Sequence, residues 1–284
     1  MRIVAVTGAN GFVGQHIVDS LLASNSGWDV VRVIDVRVAK DAPLRSRKRL
    51  SSKIQLEFVV ADICEEEQMH AALAGCLAVV HAAGLVETRS GWLHDERIFR
   101  VNTHGSECVT RACLSASVRR LVYISSTSVL ADGIWGDDTS ATAGSGRAST
   151  YGLSKRAAEA YILQQCSPER SNKLSAVCLR PHVVFGPGDS LATEDMLFSP
   201  VPPPAIGSSS RVLTPIYVKN LADLAAHLCT RAHVVGVLNV GDAHQSFKSY
   251  RKLLLSCRPP KRTSGEAMEK AFLWLAESCP SVLP

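Results

Sequence analysis

Apolar runs of strand length recur along the first two thirds of the chain, at residues 3–6, 30–34, 56–60, 77–81, 121–124 and 174–179. Between them lie stretches with apolar residues three or four apart, at 12–23, 66–73, 95–115 and 154–165, which is the spacing of one face of a helix. Short buried strands alternating with helices of crossover length predict right-handed βαβ units and a parallel sheet covered on both faces. The expected class is therefore α/β, a doubly wound parallel sheet (Rossmann fold).

The pattern changes after Gly186, where Pro187, Gly188, Pro200, Pro202, Pro203, Pro204 and Gly207 interrupt regular structure up to Tyr217. A helix is predicted at 220–230, a short strand at 237–240, and two helices near 247–256 and 266–276. With 284 residues the chain is read as one dinucleotide-binding domain over 1–284, with a small C-terminal substrate lobe built from segments near 186–216 and 241–284.

Composition adds constraints. Hydrophobic residues at 46% and charged residues at 20% fit an ordinary globular protein. The net charge of +5 owes part of its size to Arg45, Arg47, Lys48 and Arg49, a run read as solvated loop, with a positive rim for a cofactor phosphate as the alternative. No basic face interleaved with aromatic residues points to nucleic acid. The nine cysteines are scattered, without a C-x-x-C pair, which predicts buried free thiols in a reducing compartment. Met1 to Thr7 reads as a strand and not a signal peptide, and no run approaches the roughly 18 to 20 apolar residues that span a bilayer. A cytoplasmic protein without a membrane span is expected. His81, His104 and His182 lack the paired spacing of metal ligands, so no metal is expected and packing or surface roles are predicted for them.

The first strand runs directly into Thr7-Gly8-Ala9-Asn10-Gly11-Phe12-Val13-Gly14, which opens the first helix. Glycines at Gly8, Gly11 and Gly14 allow a tight turn, close backbone approach to a pyrophosphate, and close packing of helix on sheet. Asn10, Phe12 and Val13 belong to the same turn, whose N–H groups and helix dipole favour an anion. Asp35 ends the second strand 21 residues beyond Gly14, where a carboxylate can accept from both adenosine ribose hydroxyls. It would repel a 2'-phosphate, favouring NAD over NADP, although Arg37 two residues on could embrace that phosphate. Asp62 and Ile63 end the third strand and Ala82, Ala83 and Gly84 the fourth, at the carboxyl edge where such sheets bind ligands. For Asp62, capping of the following helix and adenine contact are both open.

Tyr151 and Lys155 are four residues apart at the start of a helix and so share a face. A phenol with its usual pKa of about 10 is a poor base near neutrality. A neighbouring ammonium would favour the phenolate and bring tyrosine into the range of general acid/base chemistry. Ser126 follows the fifth strand, placed to orient a substrate oxygen, with Ser125 as the alternative.

Taken in order, these segments resemble the extended short-chain dehydrogenase/reductase superfamily, and within it the 3β-hydroxysteroid dehydrogenase/isomerase branch. Further segments carry the likeness: His81-Ala82-Ala83-Gly84, Val101-Asn102-Thr103-His104-Gly105, Tyr123-Ile124-Ser125-Ser126, Tyr151-Gly152-Leu153-Ser154-Lys155, the run from Leu179 to Asp189, and Ile216-Tyr217-Val218-Lys219-Asn220. The resemblance implies hydride transfer between a secondary alcohol or ketone and NAD, with Ser126, Tyr151 and Lys155 as the catalytic residues and a sterol or steroid as substrate. It implies that Asn102 supports the active-site helix beside the cofactor and that the backbone from Pro181 to Val184 meets the carboxamide. A homodimer is a family-level expectation. Lys219 stands where the family often has an acidic or small residue, the segment 190–214 looks short, and the membrane-anchored steroid enzymes carry a carboxyl-terminal span not found here.

Two other readings share the scaffold. A nucleotide-sugar epimerase or dehydratase needs cations for a diphosphate, and Arg211 is the only arginine just before Ile216, which favours an apolar alcohol or ketone. A dinucleotide-binding regulatory protein without chemistry would be expected to have lost the tyrosine or the lysine, and both are present.

Overall fold

The structure is a computed structural model that describes residues 1–24, 27–37, 53–86, 92–130, 149–167, 173–189, 212–242 and 245–246. The basic run at 45–49 and the helices expected at 247–256 and 266–276 lie outside these residues, as does most of the segment 190–214. The chain divides into two compact units, Met1–Arg180 with Ala222–Asn239, and Pro181–Leu221 with Val240–Pro284.

The first unit is built on a sheet whose strands are β1 (Ile3–Thr7), β2 (Val30–Asp35), β3 (Gln55–Val60), β4 (Cys76–His81), β5 (Arg120–Ile124), β6 (Ser175–Pro181) and β10 (Gly236–Val240). Their order is β10-β6-β5-β4-β1-β2-β3. The pairs β2·β3, β1·β2, β1·β4, β4·β5 and β5·β6 are all parallel. Every residue of β1 and β5 is buried, as a parallel sheet covered by helices on both faces requires. The doubly wound class is therefore the fold of this chain. Chain order reverses between β1 and β4, and at such a switch point a crevice opens outside the carboxyl ends of the strands.

The helices are α1 (Phe12–Ala23), α2 (Glu66–Leu73), α3 (Trp92–Phe99), α4 (Gly105–Ser115), α5 (Thr150–Gln165) and α6 (Val218–Leu228). In α1 the apolar stripe Ile17, Val18, Leu21 and Leu22 is buried, with Gly14 and Ser20 beside it. The single helix expected at 95–115 is two helices, starting at Trp92 and joined by a π-helical turn at Arg100–His104. Apolar periodicity does not reveal such a turn, because the flanking helices keep their own stripes. α5 starts at Thr150, four residues earlier than the apolar pattern suggests, because the Ser149 hydroxyl caps it by accepting from the Gly152 N–H at 3.0 Å.

In the second unit β7 (Val184–Phe185) pairs in parallel with β9 (Ile216–Tyr217), and β8 (Val212–Leu213) pairs antiparallel with β11 (Gln245–Ser246). The Asp242 carboxylate accepts from the Tyr217 N–H at 2.6 Å and pins the end of β9. No helix among the described residues is long and apolar enough to cross a membrane. The seven described cysteines are free thiols, and all but Cys166 are buried.

Candidate active site

The glycine-rich turn is closed on itself. Gly11 N–H donates to the Gly8 carbonyl at 3.0 Å, and a Cβ on Gly14 would lie 2.1 Å from that same oxygen. Gly8 has φ +66°, and a Cβ there would lie 2.6 Å from Ala83 Cα, so the turn presses against the end of β4 at the switch point. Gly11 stands at the N-cap of α1 without a side-chain cap, and the first helical N–H groups at Phe12 and Val13 have no capping side chain. These are the features a bound diphosphate uses: backbone donors, a positive dipole end, and no Cβ in the way.

Asp35 is aimed at this turn. Its carboxylate accepts from the Asn10 N–H at 3.0 Å and from the Arg37 N–H at 3.3 Å, while the Asn10 side chain donates to the Arg37 carbonyl at 2.6 Å. The carboxylate thus stands at the crevice beside the turn, and Arg37 is held there by its backbone.

Asp62 is not the cap of α2; that position is Glu65. Asp62 instead accepts from the Cys64 N–H at 2.9 Å, closing an Asx turn one step before the helix. The helix therefore begins later than a cap at Asp62 would place it. Ile63 is buried, and a Cβ on Gly105 would meet its side chain at 2.7 Å, so Ile63 packs the π-turn end of α4.

Asn102 lies in the π-turn and is 1% exposed. Its amide oxygen accepts from the Leu85 N–H at 2.7 Å and its amide nitrogen donates to the Leu85 carbonyl at 2.9 Å. The same nitrogen donates to Ser154 Oγ at 3.1 Å, and the Thr103 hydroxyl donates to the Ser154 carbonyl at 3.0 Å. One side chain thus ties the segment after β4 to the first turns of α5. A Cβ on Gly84 would come within 3.2 Å of Asn102 Oδ1 and 3.7 Å of Lys155 Nζ, so Gly84 lies between these two groups.

Ser126, Tyr151 and Lys155 converge at the carboxyl end of β5. Ser126 opens a 3-10 turn and accepts from the Ser128 N–H at 3.1 Å. Tyr151 is partly buried and stands beside Ser126; burial pushes its phenol above the usual range, and the Ser126 hydroxyl opposes that shift. Gly152 makes the approach feasible, since a Cβ there would lie 2.2 Å from the Ser128 carbonyl. Lys155 is 4% exposed; its ammonium donates to the Ile124 carbonyl at 2.7 Å and lies 4.3 Å from the centre of the Tyr123 ring. Burial draws its pKa down to about 7, with Glu159 opposing. The ammonium is thus committed to Ile124, and a lowering of the Tyr151 pKa by Lys155 is not what this geometry provides.

Ser125 faces the other way. Its hydroxyl donates to Glu159 at 2.6 Å, and Glu159 pairs with Arg180 through Nε at 3.1 Å and through a second, short contact, all three residues being buried. Geometry therefore separates the two serines, Ser126 toward Tyr151 and Ser125 toward the ion pair. Glu159 escaped the sequence reading; its signal was a carboxylate four residues after Lys155 among alanines on a buried face.

Pro181 and Val184 belong to the second unit, Pro181 at the end of β6 and Val184 in β7. His182 between them is partly buried, and burial lowers its pKa.

Sequence comparison fits this geometry. The 3-beta hydroxysteroid dehydrogenase/isomerase family matches residues 5–235. The vaccinia virus 3 beta-hydroxysteroid dehydrogenase/Delta 5→4-isomerase is 31% identical over 199 residues, 67% of this chain and 55% of that protein. The human decarboxylating sterol-4-alpha-carboxylate 3-dehydrogenase is 31% identical over 188 residues, 65% of this chain and 45% of that protein. The chain thus spans about half the length of these relatives. Among solved structures, MoeE5 in complex with UDP-glucuronic acid and NAD superposes with a TM-score of 0.71 and 26% identity, covering 89% of this chain and 81% of that one. The Streptomyces venezuelae dTDP-glucose 4,6-dehydratase DesIV, with a TM-score of 0.73 and 18% identity over 97% of each chain, shares the fold. With the family match running from β1 past α6, this chain is a member of the 3-beta hydroxysteroid dehydrogenase/isomerase family.

Proposed function

We propose that the chain is an NAD-dependent oxidoreductase acting on a CH–OH group, a 3β-hydroxysteroid or sterol dehydrogenase in type, with Tyr151 as the general acid/base. The observation that carries this is Tyr151 set beside Ser126 one helical turn from Lys155, at the sheet edge where the glycine turn ends.

The residues present fit a dinucleotide. In the cradle formed by Gly8, Gly11 and Gly14, Gly8 and Gly14 have no room for a Cβ and Gly11 has little, and the uncapped start of α1 offers donors to a diphosphate. Asp35 at the crevice suits the adenosine ribose hydroxyls of NAD and opposes the extra phosphate of NADP. Asp62, Ile63, Ala82, Ala83 and Gly84 form the strand ends beneath it, with Asn102 holding the segment after β4. NAD, when bound, accepts or supplies the hydride. Tyr151 passes the proton to or from the substrate oxygen, Ser126 orients that oxygen, and Lys155, bonded to the Ile124 carbonyl, anchors the helix that carries Tyr151. The family and the relatives named above support a secondary alcohol or ketone of sterol type as substrate.

The test is absorbance at the reduced-nicotinamide band with purified protein, NAD and a panel of sterols, flavonoid-type ketones and nucleotide sugars. Net reduction of NAD by a sterol, lost in Tyr151→Phe, is expected. Turnover of a UDP-sugar without net NADH would instead favour the epimerase reading, for which the likeness to MoeE5 is the specific support. Tyr151→Phe turning over as fast as the parent would remove the mechanism and revive a binding protein without chemistry.

A further inference from the structure

His81 has the surroundings of a satisfied core histidine, yet its hydrogen bonds run to both sides of the site. Parallel register places Thr7, His81 and Tyr123 in one row across β1, β4 and β5, at the carboxyl ends of the strands. All three are completely buried. His81 Nδ1 is 2.7 Å from Thr7 Oγ1, and Nε2 is 2.9 Å from Ser106 Oγ.

Counting protons decides the direction of each bond. A carbonyl can only accept, so Ser106, 2.6 Å from the Asn102 carbonyl, spends its single hydroxyl proton there. Nε2 must then carry the ring proton and donate to Ser106. With one proton on a neutral ring, Nδ1 must accept from the Thr7 hydroxyl. Thr7 Oγ1 in turn accepts from the Ala83 N–H at 3.4 Å. The Tyr123 hydroxyl also approaches Ser106, without hydrogen-bond geometry, so it does not compete for the serine proton. The result is one directed chain, from Ala83 N–H through Thr7, His81 and Ser106 to the carbonyl of Asn102.

We infer that His81 is a positioning residue of the dinucleotide site, locked as the neutral Nε2–H tautomer, joining the crevice floor at Ala83 to the Asn102 clamp on the helix that carries Tyr151 and Lys155. Ala83 is where the glycine turn touches β4, and Asn102 grips both Leu85 and Ser154. The ring also stacks on Tyr123, with centroids 5.3 Å apart and planes at 26°, and Tyr123 is the ring over which the Lys155 ammonium lies. The chain cannot be reversed without a broken bond, either from Ser106 to the Asn102 carbonyl or between Ser106 and Nε2. A protonated ring could not accept from Thr7, and burial together with Lys155 holds the imidazole neutral, down to a pKa of about 3.

This inference rests on the proposed dinucleotide function, and the test separates the two. In the chain of 284 residues, 15N spectra of the imidazole are recorded, and NAD affinity, KM, kcat and melting temperature are measured for the parent, Thr7→Val, Ser106→Ala, His81→Phe and His81→Gln. The expected spectrum shows a protonated Nε2 and an unprotonated Nδ1. Thr7→Val and Ser106→Ala should each weaken NAD binding about five- to tenfold, the loss of about one buried hydrogen bond. His81→Phe should weaken it further, and His81→Gln, which keeps a donor and an acceptor, should recover part of the loss. An Nδ1–H tautomer or a mixture overturns the inference, and so do variants that melt earlier but bind and turn over NAD like the parent. If His81→Phe fails to fold, Thr7→Val and Ser106→Ala carry the test. A parent that does not bind NAD overturns the proposed function, and the positioning role falls with it.

Discussion

Lys155 Nζ and the Ile124 carbonyl oxygen are 2.7 Å apart, which ties the helix carrying Tyr151 to the last residue of the strand that leads into Ser126. The bond explains how a side chain that is 4% exposed can keep an ammonium, since a buried cation needs an acceptor. It also leaves the charge poised, because the pKa is drawn down by burial to about 7.

Lys155 makes stability depend on pH in a predictable direction. Its folded pKa of about 7 lies below its ordinary value of 10.5, so between these two values the unfolded chain binds more protons than the folded one. Stability from this group therefore rises with pH from about 7 to about 10.5 and is lost as pH falls through that window. The slope is at most about 1.4 kcal/mol per pH unit. Denaturant unfolding of the parent against Lys155→Met across this range should show a pH slope in the parent that the variant lacks.

Tyr151 sets the direction in which pH acts on turnover. Its phenol is held above the usual value, so at neutral pH it is a proton donor and only rarely a base. Alcohol oxidation, which needs the phenolate, should gain rate with each rise in pH above neutrality. Ketone reduction, which needs the phenol, should stay flat until strongly alkaline pH. Steady-state kcat/KM in both directions checks this, and an oxidation rate that falls above pH 7 in a still-folded protein contradicts it.

Two positions of the glycine turn, Gly8 and Gly14, tolerate no side chain. Gly14→Ala would drive a methyl group to 2.1 Å from the Gly8 carbonyl, and Gly8→Ala would strain a φ of +66° while striking Ala83. Each should cost about 1–3 kcal/mol of stability and lower NAD affinity at least about tenfold. Thermal melts and NAD titration read the two effects separately.

Glu159 and Arg180 should be sensitive singly and tolerant jointly. Removing either leaves a charge buried at 3% exposure or less, with an expected loss of about 3–5 kcal/mol. The double variant Glu159→Gln, Arg180→Met should lose less than the sum, and a double-mutant cycle by urea unfolding measures the difference. Additive losses would mean the pair is not coupled.

Asn102→Ala would strip the Leu85 N–H and carbonyl of their partners and release Ser154. A loss of about 1–3 kcal/mol is expected, with a larger fall in kcat than Ser154→Ala produces. Urea unfolding and steady-state rates check both.

Local pattern was enough for the class of fold, the seven strands of the main sheet, and the place of the glycine turn, Asp35, Ser126, Tyr151 and Lys155, because period, turn chemistry and motif spacing are properties of neighbouring residues. The apolar stripe alone begins four residues inside α5, whose serine cap lies outside it, although the Tyr151–Lys155 spacing already puts Tyr151 at the start of that helix, and the π-turn at Arg100–His104 and the Asx turn at Asp62 were missed. Only tertiary structure decided what Lys155 donates to, which serine meets Tyr151, and that Thr7, His81, Ser106 and Asn102 form one hydrogen-bonded chain. Those partners are 25 to 74 residues apart where His81 is concerned, and they meet because parallel register and crossover helices bring distant strand ends to one edge. Burial then fixes protonation and direction, since it removes the water that would otherwise satisfy each group.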